Sequence, residues 1–71
     1  MTLRWRQVID QHGNPHELAR RGRLEFLVRP IGMPEWVVYT RLGCEGAQFW
    51  RPLGRSTATL YGARRLAESY R

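Results

Sequence analysis

Two short stretches decide the fold of this 71-residue chain: residues 24–29 (LEFLVR) and residues 36–42 (WVVYTRL). Both are rich in β-branched and aromatic residues, which favour strands. Between them, residues 30–35 (PIGMPE) contain two prolines and a glycine, so no helix can continue through this segment. The pattern predicts an antiparallel hairpin in the middle of the chain.

The C-terminal half adds a strand and a helix to this hairpin. Residues 47–51 (AQFWR) predict a third, shorter strand that ends at the following proline and glycine. Residues 58–70 predict an amphipathic helix, for which Ser56 or Thr57 would serve as the N-cap. Its apolar stripe consists of Leu60, Ala63, Leu66, Ala67 and Tyr70. Off this stripe, Arg64 and Glu68 have the i, i+4 spacing of a surface ion pair.

The N-terminal third allows two interpretations. In residues 3–10 apolar and polar residues alternate, and the turn-forming sequence DQHGNP follows, which predicts a strand that reverses direction. Residues 14–22 (NPHELARRG) predict a short helix or an irregular excursion, because Asn caps helices, Pro suits their first position and Gly often ends them. The apolar residues of 3–10 also fit a helical spacing, so a helix-turn-helix-like opening is the alternative.

These elements predict one α+β domain over residues 1–71: a three- or four-stranded antiparallel β-meander with one C-terminal helix packed on one face. The alternative is the helix-turn-helix-like segment followed by a three-stranded sheet and the same helix. In outline, a three-stranded meander backed by a helix resembles the small arm-binding domains of integrases. That resemblance implies DNA binding through arginines and tryptophans on the sheet, and it assigns no individual residue here.

The charge of the chain points to an acidic partner. All twelve basic residues are arginine, against six acidic residues, which gives a formal net charge of +6 and a pI near 11.1. Guanidinium groups bind phosphate and carboxylate groups bidentately and stack on rings. An arginine-only composition also arises in GC-rich genomes, so the position of the arginines in the fold decides between function and composition.

The candidate binding residues fall into two groups. Five arginines lie on or near the predicted strands, and Arg55 follows them; Trp50 is the aromatic residue expected to stay accessible beside them. Three more arginines surround Gly22 and predict a second phosphate contact. The predicted partner-binding residues are Arg4, Arg6, Arg20, Arg21, Arg23, Arg29, Arg41, Trp50, Arg51 and Arg55. The competing interpretation is an ordinary solvated outer face of the sheet.

Other classes of function have little support in the sequence. Cys44 is the single cysteine, so no intrachain disulfide can form, and this favours a reducing cytoplasm. No stretch has the length of a signal peptide core or a membrane span. His12 and His16 are separated by Gly, Asn and Pro, which argues against a shared metal ion. With no catalytic motif at a recognisable spacing, we expect neither an enzyme nor a cofactor.

The sequence therefore predicts a small cytoplasmic nucleic-acid-binding protein of bacterial or phage type, with DNA expected rather than RNA. The second hypothesis is a phage-type inhibitor or adaptor that binds an acidic surface of a host protein or complex. An exposed strand edge would also allow a homodimer by strand addition, unless Pro30 or Pro52 blocks it.

Overall fold

A computed structural model describes residues 3–32, 35–43 and 46–70 of the protein. In these ranges it shows an antiparallel sheet of five strands, ordered β1-β2-β3-β4-β5, with one α-helix after the last strand. The elements are β1 (Arg6–Ile9), β2 (Pro15–Arg21), β3 (Leu24–Gly32), β4 (Glu35–Leu42), a 3₁₀ helix (Ala47–Phe49), β5 (Arg51–Pro52) and α1 (Leu60–Glu68). The α+β class and the C-terminal helix are confirmed, whereas the sheet has more strands than predicted.

The additional strand is β2, where the sequence predicted a short helix or an irregular excursion. That prediction is wrong, because residues 15–21 pair along their whole length with neighbouring strands: Leu18 lies opposite Leu27, and Ala19 lies opposite Phe26. Gly22 was expected to end a helix but instead begins the two-residue turn to β3, with φ of +61°. A positive φ at the first central position alone is typical of a type II′ hairpin turn. The described N-terminal residues therefore form strands and not a helix-turn-helix.

The strand predicted at residues 47–51 is displaced toward the C-terminus. Its first residues form the 3₁₀ helix, in which the Phe49 amide donates to the Gly46 carbonyl over 3.0 Å. The strand β5 itself consists of Arg51 and Pro52, which pair with Thr40 and Tyr39 of β4. After Pro52 the Leu53 amide donates to the Val38 carbonyl of β4 over 2.7 Å, and an edge strand tolerates the missing N–H of proline.

The helix begins later than predicted. Thr59 is its N-cap, and the Thr59 hydroxyl accepts a hydrogen bond from the Gly62 amide over 3.0 Å. Thr57, one of the two predicted caps, is held by the sheet instead: it exchanges two backbone hydrogen bonds with Trp36, each 2.8 Å long. Because Thr57 remains extended, the helix cannot begin before Thr59.

The predicted apolar stripe of α1 packs on the sheet as expected. Ala63 and Ala67 are completely buried against Phe26, Val28 and Val38, which are also completely buried. Around this centre pack Leu60, Leu66, Tyr70, Trp5 and Trp36. We call the side of the sheet that carries Phe26, Val28 and Val38 the covered face, and the opposite side the open face. Within the described ranges, no helix is long and apolar enough to cross a membrane.

Candidate nucleic-acid interface

The strand register places several arginines on the open face. Successive residues of a strand point to opposite sides, and directly paired residues share a side. Phe26 points toward the helix, so its neighbour Glu25 lies on the open face, together with its two partners Arg20 on β2 and Arg41 on β4. Arg6 on β1 joins them, because it pairs with Leu18, which lies two residues from Arg20.

These side chains surround a groove on the open face with a volume of about 670 Å³. We call it the arginine groove. It is lined by Arg4, Trp5, Arg6, Leu18, Ala19, Arg20, Glu25, Arg41 and Trp50. Four guanidinium groups and one carboxylate give the groove a formal charge of +3. Half of the chain's predicted binding residues are thus brought together in one place.

Glu25 lies between two of these guanidinium groups. Its Oε2 is 2.9 Å from Arg20 Nη2, and its Oε1 accepts a hydrogen bond from Arg41 Nε over 2.8 Å. The hydrogen bond from Arg41, followed by that from Arg20, holds the pKa of the Glu25 carboxyl below its usual value. The carboxylate is therefore charged at neutral pH and fixes the positions of both arginines.

Arg41 also stacks on Trp50 at one end of the groove. Its guanidinium carbon lies 4.2 Å from the centre of the Trp50 ring. This is well within the range of a cation–π interaction. Because Glu25 holds Arg41 from one side, the stacked pair has a defined position at the β4 side of the sheet.

Arg4 and Arg6 line the other end of the groove and are solvent-exposed. Among the described residues, neither has an acidic partner within ion-pair distance. The segment that carries them is attached to the helix through Glu68, whose Oε2 accepts hydrogen bonds from the Trp5 indole at 3.3 Å and from the Leu3 amide at 3.1 Å. The helix thus holds the backbone while the two guanidinium groups stay at the groove.

The predicted cluster of Arg20, Arg21 and Arg23 is divided by the strand geometry. Arg20 lies in the groove, whereas Arg21 points to the covered face, donates to the Tyr70 carbonyl and stacks over Phe26 at 5.7 Å. Arg23 lies in the turn, beside the groove. The cluster does not form because adjacent residues of β2 point in opposite directions.

The three remaining predicted residues lie outside the groove. Arg29 is on the open face but near the opposite end of β3, beside Pro15 and His16. Arg51 pairs with Thr40, which neighbours Arg41 on β4, so it lies on the covered side of the sheet. Arg55 is exposed in the connection to α1. Arg29 and Arg51 therefore do not converge with the other sheet arginines at the groove.

Arg64 was predicted to pair with Glu68 but instead forms an ion pair with Glu17, which lies 47 residues away in the chain. Arg64 Nε and Nη2 donate to the two carboxylate oxygens of Glu17 over 2.7 Å and 2.6 Å. This bidentate hydrogen bonding is the main reason why the pKa of Arg64 is raised above its usual value. Glu17 and Glu25, the partners that organise the arginines, were not identified from the sequence, because both depend on the pairing of residues far apart in the chain.

Searches of known protein families, curated proteins and solved structures find no match to this chain.

Proposed function

We propose that this protein is a small nucleic-acid-binding domain whose ligand lies in the arginine groove. The observation that carries the proposal is the convergence of Arg4, Arg6, Arg20 and Arg41 on one concave surface beside Trp50. Electrostatic contacts of arginine with phosphate supply most of the non-specific affinity for nucleic acids. The role proposed is binding without catalysis, in the cytoplasm, with DNA as the expected ligand.

The contacts of Glu25 support phosphate as the group that is bound. Its carboxylate presents two anionic oxygens to Arg20 and Arg41 at 2.9 Å and 2.8 Å, a geometry that a phosphodiester would also satisfy. Each guanidinium has further N–H donors for a second oxyanion. A phosphate in the groove would therefore find donors already positioned.

The absence of compensating charge at Arg4 and Arg6 supports the same conclusion. Within the described ranges, the nearby acidic group in the groove is Glu25, which already contacts the other two arginines. Unpaired like charges in one groove repel each other, and an anionic ligand relieves this repulsion. These two residues are therefore the best targets for a binding test.

The test compares two double variants that remove the same amount of charge. R4A/R6A removes arginines from the groove, and R55A/R65A removes exposed arginines outside it. Binding to fluorescein-labelled oligonucleotides, both single-stranded and duplex, is followed by anisotropy from about 50 to 200 mM salt. We expect R4A/R6A to weaken binding at least about tenfold. The plot of log affinity against log salt concentration should also become less steep, by about two units of slope.

The control variant R55A/R65A should change the affinity by less than about threefold, since it leaves the groove intact. Equal losses in both variants would show that binding reflects net charge alone and would contradict the proposal. Affinity independent of salt would also contradict it. Polyglutamate is added as a competitor at the same concentration of negative charges as the oligonucleotide. If it displaces the oligonucleotide, the result favours an acidic protein surface as the partner.

A further inference from the structure

The arginine groove crosses the strands of the sheet instead of following one of them. Its lining residues come from the segment before β1, from β2, β3 and β4, and from Trp50 just before β5. Neighbouring strands are about 4.8 Å apart, so a ligand that spans β1 to β5 covers about 19 Å. Arg6 on β1 and Trp50 just before β5 therefore lie at opposite ends of the groove.

This width is too large for the major groove of duplex DNA. That groove is about 12 Å wide and accepts a helix or a two-stranded ribbon. If β1 and β2 entered it, Arg41 and Trp50 would remain outside, since they lie beyond β3. A duplex can thus contact one end of the arginine groove but not the complete set of side chains.

The two ends of the groove differ in a way that matches the two parts of a nucleotide. At the β1 end, Arg4 and Arg6 offer exposed charge. At the other end, the guanidinium carbon of Arg41 lies 4.2 Å from the centre of the Trp50 ring, and Glu25 holds the guanidinium in place. Aromatic rings and guanidinium planes are the surfaces on which unpaired bases stack.

We propose that the groove binds a single-stranded segment of nucleic acid that runs across the strands. Its phosphates contact Arg4 and Arg6, and one unpaired base stacks on the Arg41–Trp50 pair. This inference rests on the proposed function and specifies its ligand. A duplex hides the faces of its bases inside the helix, so only a single strand can use both ends of the groove.

The experiment compares three fluorescein-labelled DNA probes of about twelve nucleotides. They are single-stranded oligothymidine, its duplex with oligodeoxyadenosine, and an abasic strand that keeps the phosphates. We expect oligothymidine to bind at least about tenfold more tightly than the duplex at equal salt. W50A should weaken binding to oligothymidine by about 5- to 100-fold and should weaken binding to the duplex and the abasic strand much less. Oligouridine in parallel distinguishes RNA from DNA.

The variant W50F is the matched control, because it retains an aromatic ring and should keep most of the affinity for oligothymidine. If W50A does not fold, W50F and the abasic strand still decide the question. Tighter binding to the duplex would overturn the inference and leave the proposed function standing. Equal effects of W50A on all three probes would also overturn it, since they indicate a structural role. Failure of every probe to bind would refute both proposals.

Discussion

Each face of the sheet carries a glutamate that is paired with arginine, but the two glutamates differ in their burial and in the number of arginines that they bind. On the covered face, Glu17 binds one arginine, Arg64, through both oxygens, and the Glu17 side chain is only 9% exposed. On the open face, Glu25 is shared between Arg20 and Arg41, and its side chain is 20% exposed. The Glu17 pair is balanced and its carboxylate is nearly buried, whereas Glu25 is shared between two guanidinium groups that carry further donors.

This difference separates structural arginines from arginines that can bind a ligand. Arg64 and Arg21 satisfy groups of the fold, since they contact Glu17 and the Tyr70 carbonyl. Arg4 and Arg6 contact no acidic group among the described residues and lie in the groove. The groove, with a formal charge of +3, thus carries a charge equal to half of the net charge of +6 of the chain.

The largest expected effect is a loss of stability on the covered face. F26A removes a completely buried ring that packs edge-on against Tyr70, so it should lower the free energy of unfolding by about 3–5 kcal/mol. I9A, which truncates a side chain that is 58% exposed, should change it by less than about 0.5 kcal/mol. Urea denaturation measures both. If F26A lowered the free energy of unfolding only slightly, the packing of the helix on the covered face would not be what stabilises the fold.

The next prediction compares the two glutamates directly. E17Q should lower the free energy of unfolding by about 1–3 kcal/mol, because it leaves a charged Arg64 next to a neutral amide at a mostly buried site. E25Q should cost less than about 1 kcal/mol. In the binding assay the order should reverse, with E25Q raising the affinity for an oligonucleotide and E17Q leaving it unchanged. If both variants behaved alike in both assays, the distinction between the faces would be lost.

A smaller effect is expected at the start of the helix. T59A removes the hydroxyl that accepts the Gly62 amide, and it should lower the free energy of unfolding by about 1 kcal/mol. T59S keeps the hydroxyl and should retain nearly the full stability. Because Thr59 lies away from the groove, neither variant should alter oligonucleotide affinity under conditions where the protein is folded. A specific loss of binding in T59A would contradict this separation.

The smallest effect is a pH dependence that arises on the open face. The pKa of Glu25 is lower in the folded protein than in the unfolded chain, so its ionised form stabilises the fold above about pH 4.3. This stabilisation is lost as the pH falls through the folded-state pKa. The wild type should therefore exceed E25Q in stability near neutral pH, by less than about 1 kcal/mol, and the difference should shrink in acid. A difference that is constant from pH 7 to about pH 3 would contradict this origin.

The central hairpin and the helix stripe were predictable because their signals are local. Residues 24–29 and 36–42 combine β-branched and aromatic residues on both sides of a turn, and residues 60–70 repeat at helical spacing. β2 was not predictable, because a stretch such as HELARR has weak strand propensity and becomes a strand through pairing with β3.

The candidate site was predictable only in part, for the same reason. The alternation of Arg4 and Arg6 in the sequence already indicates that they share a side of the chain. The contacts of Glu25 require the register of three strands, and the Arg41–Trp50 stack requires the path of the connection between β4 and β5. Neither can be derived from spacing along the chain.

The two hydrogen bonds that Glu68 accepts from Leu3 and Trp5 join positions 65 and 63 residues apart. The segment that carries Arg4 is therefore held by a helix that follows the strands of the sheet in the chain. We expect a nascent chain to complete the β1 end of the groove only after residue 68 has left the ribosome, so that folding of the helix and full binding competence are acquired together.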